Sequence, residues 1–398
     1  MKKFLKKILP PFLINFYHFI LAFLGALIYN FPSKKLILIG VTGTNGKTTT
    51  TEMICKILEK ANFKVALINS VRFKIGKKTE INKLRMTMPG RFFIQRFLRK
   101  AVKEKCKFAI LEVTSEGIKQ YRHRFLNFKV AVFLNLAPEH IESHGSFEKY
   151  KEAKGKLFGA TRDIHVINIE DKNANYFLKF KAKKKITFGL KKGDFNLENT
   201  QIKLKILGNF NYYNALAAFC TAFSQGIDKK IILEALEEFE GVPGRMEMVI
   251  EKPFKVIVDY AFTPFALEKV YKTIKERFKP RKMIAVLGAC GGGRDKWKRP
   301  VLGSLAAKYC EKVIVTNEDP YDEDPWQIIE QVASGTKGKA KKILERREAI
   351  REALKEAKEG DVVIITGKGA EPSICIGNRK IPWDDREVVK EEFEKIYS

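Results

Sequence analysis

The residues with the clearest chemistry are Gly40-Val41-Thr42-Gly43-Thr44-Asn45-Gly46-Lys47-Thr48-Thr49-Thr50. They follow a short apolar run, Leu36 to Ile39, and open a helical pattern from Thr48 to Ala61. Glycines in such a turn let backbone N–H groups face phosphate oxygens, and the helix N-terminus adds partial positive charge. Lys47 is spaced to reach the β- and γ-phosphates of a nucleotide, and Thr48 to offer its hydroxyl to Mg2+. Gly43, Thr44, Asn45, Gly46 and Thr49 complete the cradle. Val41 stands where the strict phosphate-loop pattern has its first glycine, and Gly43 takes over as the early glycine. The plain alternative is a Gly-rich turn with a chance lysine; the strand–turn–helix context and the Lys-Thr pair argue against it.

Two clusters add to this loop. Glu112 ends an apolar run, Phe108 to Val113, and is followed by Thr114-Ser115-Glu116-Gly117. Ligands of parallel sheets bind at the carboxyl ends of strands, so Glu112 is placed to hold a metal. Asn135-Leu136-Ala137-Pro138-Glu139-His140-Ile141-Glu142-Ser143-His144-Gly145 follows the next strand and carries two of the five histidines. With no Cys ligands nearby and carboxylates at hand, a hard ion such as Mg2+ fits, with His140 as an extra ligand. Asn211 and Asn214 open a helical run; such amides can read a base or sugar, or simply cap and turn the chain.

The loop Thr-Gly-Thr-Asn-Gly-Lys-Thr-Thr resembles that of the Mur ligases, the ATP-dependent amide-forming enzymes of cell-wall peptide synthesis, and of folylpolyglutamate and cyanophycin synthetases. Further segments resemble the Mur ligases in order along the chain. Glu112 to Glu116 is similar to Glu-Val-Ser-Ser-His of the tripeptide-forming branch, with Glu116 in place of His. Asn135 to Gly145 is similar to Asn-Leu-x-x-Asp-His-Leu-Asp-x-His-Gly, which implies that His140 is a metal ligand. Tyr150-Lys151-Glu152-Ala153-Lys154 matches a segment whose lysine is carbamylated and helps hold a second Mg2+, so the resemblance alone assigns that role to Lys154. Asn211 and Asn214 match positions that contact the adenine nucleotide.

The second half continues the resemblance. Gly241 to Glu247 is similar to the interdomain segment, where Arg245 could neutralise phosphate charge. Asp259-Tyr260-Ala261-Phe262-Thr263-Pro264 has Phe262 in place of a His, with Asp259 keeping its position near ATP. Gly291 to Pro300 is Gly-rich and basic, and by the resemblance Lys298 and Arg299 could meet the γ-phosphate. Glu318-Asp319-Pro320-Tyr321 stands where the family reads the incoming amino acid. Tyr321 replaces an Arg that clamps a carboxylate, and the acids Glu318, Asp319 and Asp322 suit an amine side chain, so lysine or another diamino acid is expected. Gly367-Lys368-Gly369-Ala370-Glu371 has Ala370 in place of a His, and Glu371 would hold the α-amino group. Ser115 falls on the acceptor side of the site.

The elements that must carry these residues are α/β. Val130 to Leu134 and His165 to Ile169 read as further buried strands, as do Val256 to Val258, Met283 to Leu287, Lys312 to Val315 and Val362 to Ile365, with helical segments between. Lys181 to Lys185 and Lys191 to Asp194 mark a polar, turn-rich region, a small antiparallel extension. The expected fold is a P-loop-containing central ATPase domain with a parallel sheet (36–245) followed by a C-terminal Rossmann-like α/β domain (246–398). Residues 1–35 form a basic, apolar segment in the place of the family's UDP-binding domain. It runs uncharged from Ile8 to Ser33 between Lys2, Lys3, Lys6, Lys7 and Lys34, Lys35. Its length suits a spanning helix, its polar interruptions suit an interfacial helix, and packing on the protein's own core is the plain alternative.

Composition bounds the rest. The chain has 398 residues and a net charge of +29, with basic residues spread along it. That favours polyanionic partners, yet no nucleic-acid-binding motif accompanies it. The six cysteines are scattered, with no C-x-x-C pair, which suits a reducing compartment and excludes a Cys-based zinc site or disulfide framework. The combined expectation is an ATP- and Mg2+-dependent ligase, cytoplasmic, monomeric, with a muramyl-peptide and an amino acid as substrates and the inner membrane face as a further partner. A ligase for a lipid-linked wall precursor and an inactive membrane-tethered nucleotide-binding scaffold are the alternatives.

Overall fold

The computed structural model describes residues 10–397. They divide into two compact units. The first holds residues up to 137, 146–205 and 210–239; the second holds 138–145, 206–209 and 240 onward. The expected boundary near 245 thus lies a few residues earlier, and Gly241 to Arg245 belongs to the second unit.

The first unit is built on an eight-stranded sheet in the order β4-β3-β2-β5-β1-β6-β7-β8. Its strands are β1 Ile37–Thr42, β2 Val65–Ile68, β3 Arg72–Ile75, β4 Lys78–Ile81, β5 Phe108–Glu112, β6 Phe128–Phe133, β7 Ile164–Asn168 and β8 Lys184–Phe188. From β2 to β8 all pairings are parallel. Strands buried on both faces must be apolar throughout, and β1, β2 and β5 are fully or almost fully buried along their length. Glu112 closes β5 and Thr42 closes β1, at the carboxyl edge where a parallel sheet binds ligands. The antiparallel extension lies at the opposite edge from the expected one. β3 and β4 form it as a hairpin beside β2, while β8 joins the sheet in parallel with β7.

The helices used below are α1 Pro11–Ile28, α2 Lys47–Lys60, α3 Arg91–Lys103, α4 Ser115–Lys119, α5 Phe147–Ala160 and α6 Phe210–Phe223 in the first unit, then α7 Lys298–Tyr309, α8 Arg346–Glu356 and α9 Asp385–Tyr397 in the second. α1 belongs to the first unit and is no separate domain: Ala22 and Ala26 are buried, and Gly25 faces Phe92 of α3. The helix stops where Asn30 and Phe31 turn left-handed, ahead of Pro32. No helix among the described residues is long and apolar enough to cross a membrane. Within the described residues the uncharged stretch forms the 18-residue helix Pro11–Ile28 and then the turn Pro32–Lys35.

The second unit carries a six-stranded sheet in the order β13-β12-β11-β14-β10-β9. These are β9 Glu247–Ile250, β10 Lys255–Asp259, β11 Met283–Leu287, β12 Lys312–Thr316, β13 Ala340–Ile343 and β14 Val362–Thr366. All pair in parallel except β9, which runs antiparallel to β10. A small antiparallel pair, β15 Ser373–Ile376 and β16 Arg379–Pro382, follows. α8 and α9 pack together over the sheet, whose core includes Val256, Ile284, Ile365, Ile350 and Val389.

Candidate active site

In the first unit the loop between β1 and α2 is held by the strand beside it. Asn135, just past β6, takes the Asn45 N–H on its Oδ1 at 2.9 Å and donates Nδ2 to the Asn45 carbonyl at 3.1 Å. Its carbonyl accepts from Thr44 N. Gly46 has φ +85°, and a Cβ there would lie 2.2 Å from Asn214 Oδ1, so only glycine fits. Asn214 and Asn211 are both buried on α6, linked Nδ2 to Oδ1 at 2.9 Å. Lys47 folds its Nζ onto the Gly43 and Thr44 carbonyls at 3.1 and 2.9 Å. Thr49 is buried one turn into α2.

Oxygen donors gather at the start of α2. Thr48 donates its hydroxyl to Glu112 Oε2 at 3.1 Å and shares a 2.8 Å bond with Ser70 Oγ. Ser70 N also donates to Glu112 Oε2. A hydroxyl and a carboxylate side by side at a phosphate loop suit a hard cation such as Mg2+. The loop suits a nucleotide phosphate too: it opens the N-terminus of α2, and Asn45 Nδ2 is buried without a protein partner. Among the described residues no group of three or more His, Cys, Asp or Glu side chains forms a metal-binding cluster.

α5 brings two more side chains to the loop. Tyr150 OH lies 3.1 Å from Thr44 Oγ1. Lys154 is buried, with its Nζ on the Gly43 carbonyl at 2.9 Å and over the Tyr150 ring. Burial pushes its pKa well below the ordinary lysine range, and the nearby Lys47 charge lowers it further. Ser115 is buried at the start of α4, which Thr114 caps by accepting from Gly117 N. The sequence reading thus finds Gly43 to Thr49, Glu112, Lys154, Asn211 and Asn214 around one loop. His140 has φ +57° and stands at the start of the short helical turn Ile141–His144, in a segment that belongs to the second unit.

An arginine pair was missed by sequence reasoning. Arg122 donates to the Met88 carbonyl and to Gln120 Oε1. Arg91 donates to the Gln120 carbonyl at 2.6 Å and lies 2.5 Å from His18 Nδ1 of α1. Burial, and then the neighbouring Arg91 charge, push the Arg122 pKa down to about 10. Only the surplus of basic residues around an apolar turn hinted at it, which many surface arginines share.

In the second unit the expected residues fall into two networks. Asp259, at the end of β10, accepts from Met246 N and Ala261 N, both at 2.7 Å. Burial raises its pKa, opposed by Arg245, whose guanidinium stacks on Tyr260 at 4.0 Å. Lys368 is buried between Asp319 Oδ2 at 2.8 Å and Glu371 Oε2 at 2.7 Å. Glu371 also accepts from Tyr260 OH at 2.9 Å. Asp319 takes the Cys375 N–H as well. Tyr321, at φ +53°, packs its backbone on β15. Arg294, which sequence reasoning passed over, has Cys290, Tyr260, Tyr321 and Glu371 in its electrostatic surroundings; burial lowers its pKa, and these groups, Cys290 foremost, outweigh that and raise it.

Lys298 and Arg299 both have buried protein partners. Lys298 is buried against Glu139 Oε1 at 2.8 Å and over the Phe262 ring. Arg299 is fully buried and bonds Gln331, the Cys290 carbonyl and Glu323. Its guanidinium braces the glycine loop from inside through the Cys290 carbonyl.

A nucleotide-phosphate loop on a parallel sheet, followed by a second α/β unit with a buried Lys-Asp-Glu cluster, defines an ATPase-type domain joined to a Rossmann-like domain. Comparison with known proteins agrees. Residues 41–222 match the Mur ligase middle domain and residues 244–369 the Mur ligase glutamate ligase domain. The chain is 41% identical to the UDP-N-acetylmuramoyl-L-alanyl-D-glutamate--2,6-diaminopimelate ligase of Alkaliphilus metalliredigens, over 94% of this chain and 81% of that protein. A solved ligase of the same description superposes with a TM-score of 0.61 at 30% identity, over 91% of this chain and 79% of the other. The folylpolyglutamate synthase of Mycobacterium tuberculosis, solved with ADP and AMPPCP, shares the fold with a TM-score of 0.70 at 16% identity, over 86% of this chain and 91% of that one. The chain belongs to the Mur ligase family.

Proposed function

We propose that the protein is an ATP-dependent ligase of cell-wall peptide synthesis that joins an amino acid to a muramyl-peptide carboxylate. The observation that carries this reading is the convergence of Lys47, Thr48, Glu112 and Lys154 on one phosphate loop. A carboxylate oxygen of the acceptor attacks the γ-phosphorus of ATP, the bond to the bridging oxygen breaks, and ADP leaves. The amine then attacks the acyl carbon, phosphate departs with the C–O bond, and the amine gives up a proton. The loop amides and Lys47 stabilise charge on the transferred phosphoryl group. Thr48 and Glu112 would hold Mg2+, which supplies Lewis-acid charge neutralisation there. Lys154, by family resemblance carbamylated, would add a carboxylate to that set, with His140 as a further ligand. Asn211, Asn214, Arg245 and Asp259 remain the candidates for nucleotide contact, and Ser115 for the acceptor side.

The arginine pair Arg91 and Arg122 suits an anionic acceptor, since half-buried guanidiniums favour a carboxylate partner. For the amine substrate, Glu371 with Arg294 offers one negative and one positive group, as an amino acid's own termini require. A diamino acid is the expected class, in keeping with the diaminopimelate of the relatives' names. The enzyme is taken to work in the cytoplasm as a monomer. A lipid-linked acceptor is the second reading, favoured by the exposed apolar face of α1 close to Arg91.

The test is phosphate release by the purified protein with ATP, Mg2+, UDP-muramyl-dipeptide and a panel of amino acids including lysine and diaminopimelate, each component omitted in turn. Release requiring all substrates, with a matching amide by mass spectrometry, supports the reading. ATP binding without turnover on either soluble or lipid-linked acceptors overturns it in favour of a scaffold.

A further inference from the structure

α1 has two contrasting faces. Towards α3 it buries Ala22 and Ala26 and sets Gly25 against Phe92. Phe19 and Phe23 reach the Phe125 ring at 5.2 and 5.4 Å. The helix is therefore pinned along the protein surface and is not free to insert end-on. The other face is left to solvent. Phe12, Phe16 and Tyr17 are 67%, 62% and 57% exposed, and Leu27 and Ile28 are 52% and 65% exposed. Phe12, Phe16, Ile20, Phe23 and Leu27 follow helical spacing and form a continuous apolar strip, at whose edge Phe23, still 39% exposed, touches Phe125. Scattered exposed apolar residues need no explanation, but a contiguous aromatic strip does.

The charge around the strip selects its occupant. No Asp or Glu occurs before Glu52, whereas Lys2, Lys3, Lys6 and Lys7 precede the helix and Lys34 and Lys35 follow it. Lys34 and Lys35 are exposed. A second copy of a chain with net charge +29 would bring these lysines onto like charge. An anionic phospholipid surface would meet them with opposite charge while the aromatic strip enters the headgroup region.

We propose that α1 is a docking face that lays the protein on an anionic phospholipid bilayer. This goes beyond the ligase reading and does not rest on it, because docking involves only the strip and its flanking lysines. It also gives His18 a setting: the same helix that meets lipid carries the imidazole beside Arg91, so a docked protein holds that arginine at the membrane surface.

The experiment is vesicle flotation of the full chain without ATP turnover. One vesicle is phosphatidylcholine alone; the other mixes equal parts of phosphatidylcholine and phosphatidylglycerol. Flotation with the anionic vesicles, weakened by salt, is expected, with little on phosphatidylcholine. Phe16→Glu with Leu27→Glu should bind the anionic vesicles about tenfold more weakly or worse, while still binding a fluorescent ATP analogue like the parent. Phe16→Trp should be quenched by brominated lipid, a readout that stands even if the double variant folds poorly. Three results would each overturn the proposal: no flotation of the parent, unchanged binding by the double variant, or a concentration-dependent dimer that the double variant abolishes. Failure of catalysis alongside intact flotation would count against the ligase reading only.

Discussion

Gly46 shows how closely one residue constrains the phosphate loop. A left-handed φ of +85° costs a non-glycine residue about 1–3 kcal/mol. A Cβ would also press on Asn214 Oδ1 at 2.2 Å. Gly46→Ala should therefore destabilise the protein by more than the backbone strain alone and weaken binding of ATP. Asn214→Ala made with it removes the clash and leaves the strain, so the double-mutant cycle should show a favourable coupling of about 1 kcal/mol or more in thermal melts. Additive effects would mean that Asn214 does not set the loop. Residue identity was legible for this loop because Gly, Lys and Thr are required by phosphate chemistry itself. It was not legible for Lys154, whose role depends on burial by α5 beside Tyr150; in sequence it is one lysine among many. Nor could sequence show that Lys368, far along the chain, pairs with both Asp319 and Glu371, or that Arg299 turns inward.

Elements were readable where burial makes a pattern. β5 and β11 are buried throughout, and their apolar runs marked them within a residue or two. The hairpin β3–β4 was not readable: β4 is Lys78-Thr79-Glu80-Ile81, exposed at every position on a sheet edge, and carries no apolar alternation. The packing of α8 on α9 gives a prediction at this scale. Glu392 is surrounded by Arg351, Arg347 and Lys395. The Arg351 guanidinium foremost, against burial, holds its pKa near 2 in place of the ordinary 4.5. A carboxylate with a depressed folded pKa stabilises above the unfolded value, and that stability is lost as pH falls from about 4.5 through about 2. Glu392→Gln should melt lower than the parent at neutral pH, and the gap should close through that window. A gap that stays constant down to pH 2 would show that the charge of Glu392 contributes nothing.

The whole molecule joins two α/β units whose separate duties follow from their chemistry. The first holds a phosphate loop with oxygen donors for a hard cation; the second holds a Lys-Asp-Glu cluster with an arginine nearby. Sequence order suggested both units, since apolar strands alternate with helices in each. It did not reveal that 138–145 would leave the first unit for the second, because the strand before it and the helix after it both stay behind. The central claim concerns a reaction, ATP-driven amide formation through an acyl phosphate. The measurement that tests it most directly labels the acceptor carboxylate with heavy oxygen and follows the label. The account predicts one heavy oxygen in the phosphate released for each amide formed. Phosphate carrying no label, with amide still produced, would contradict it.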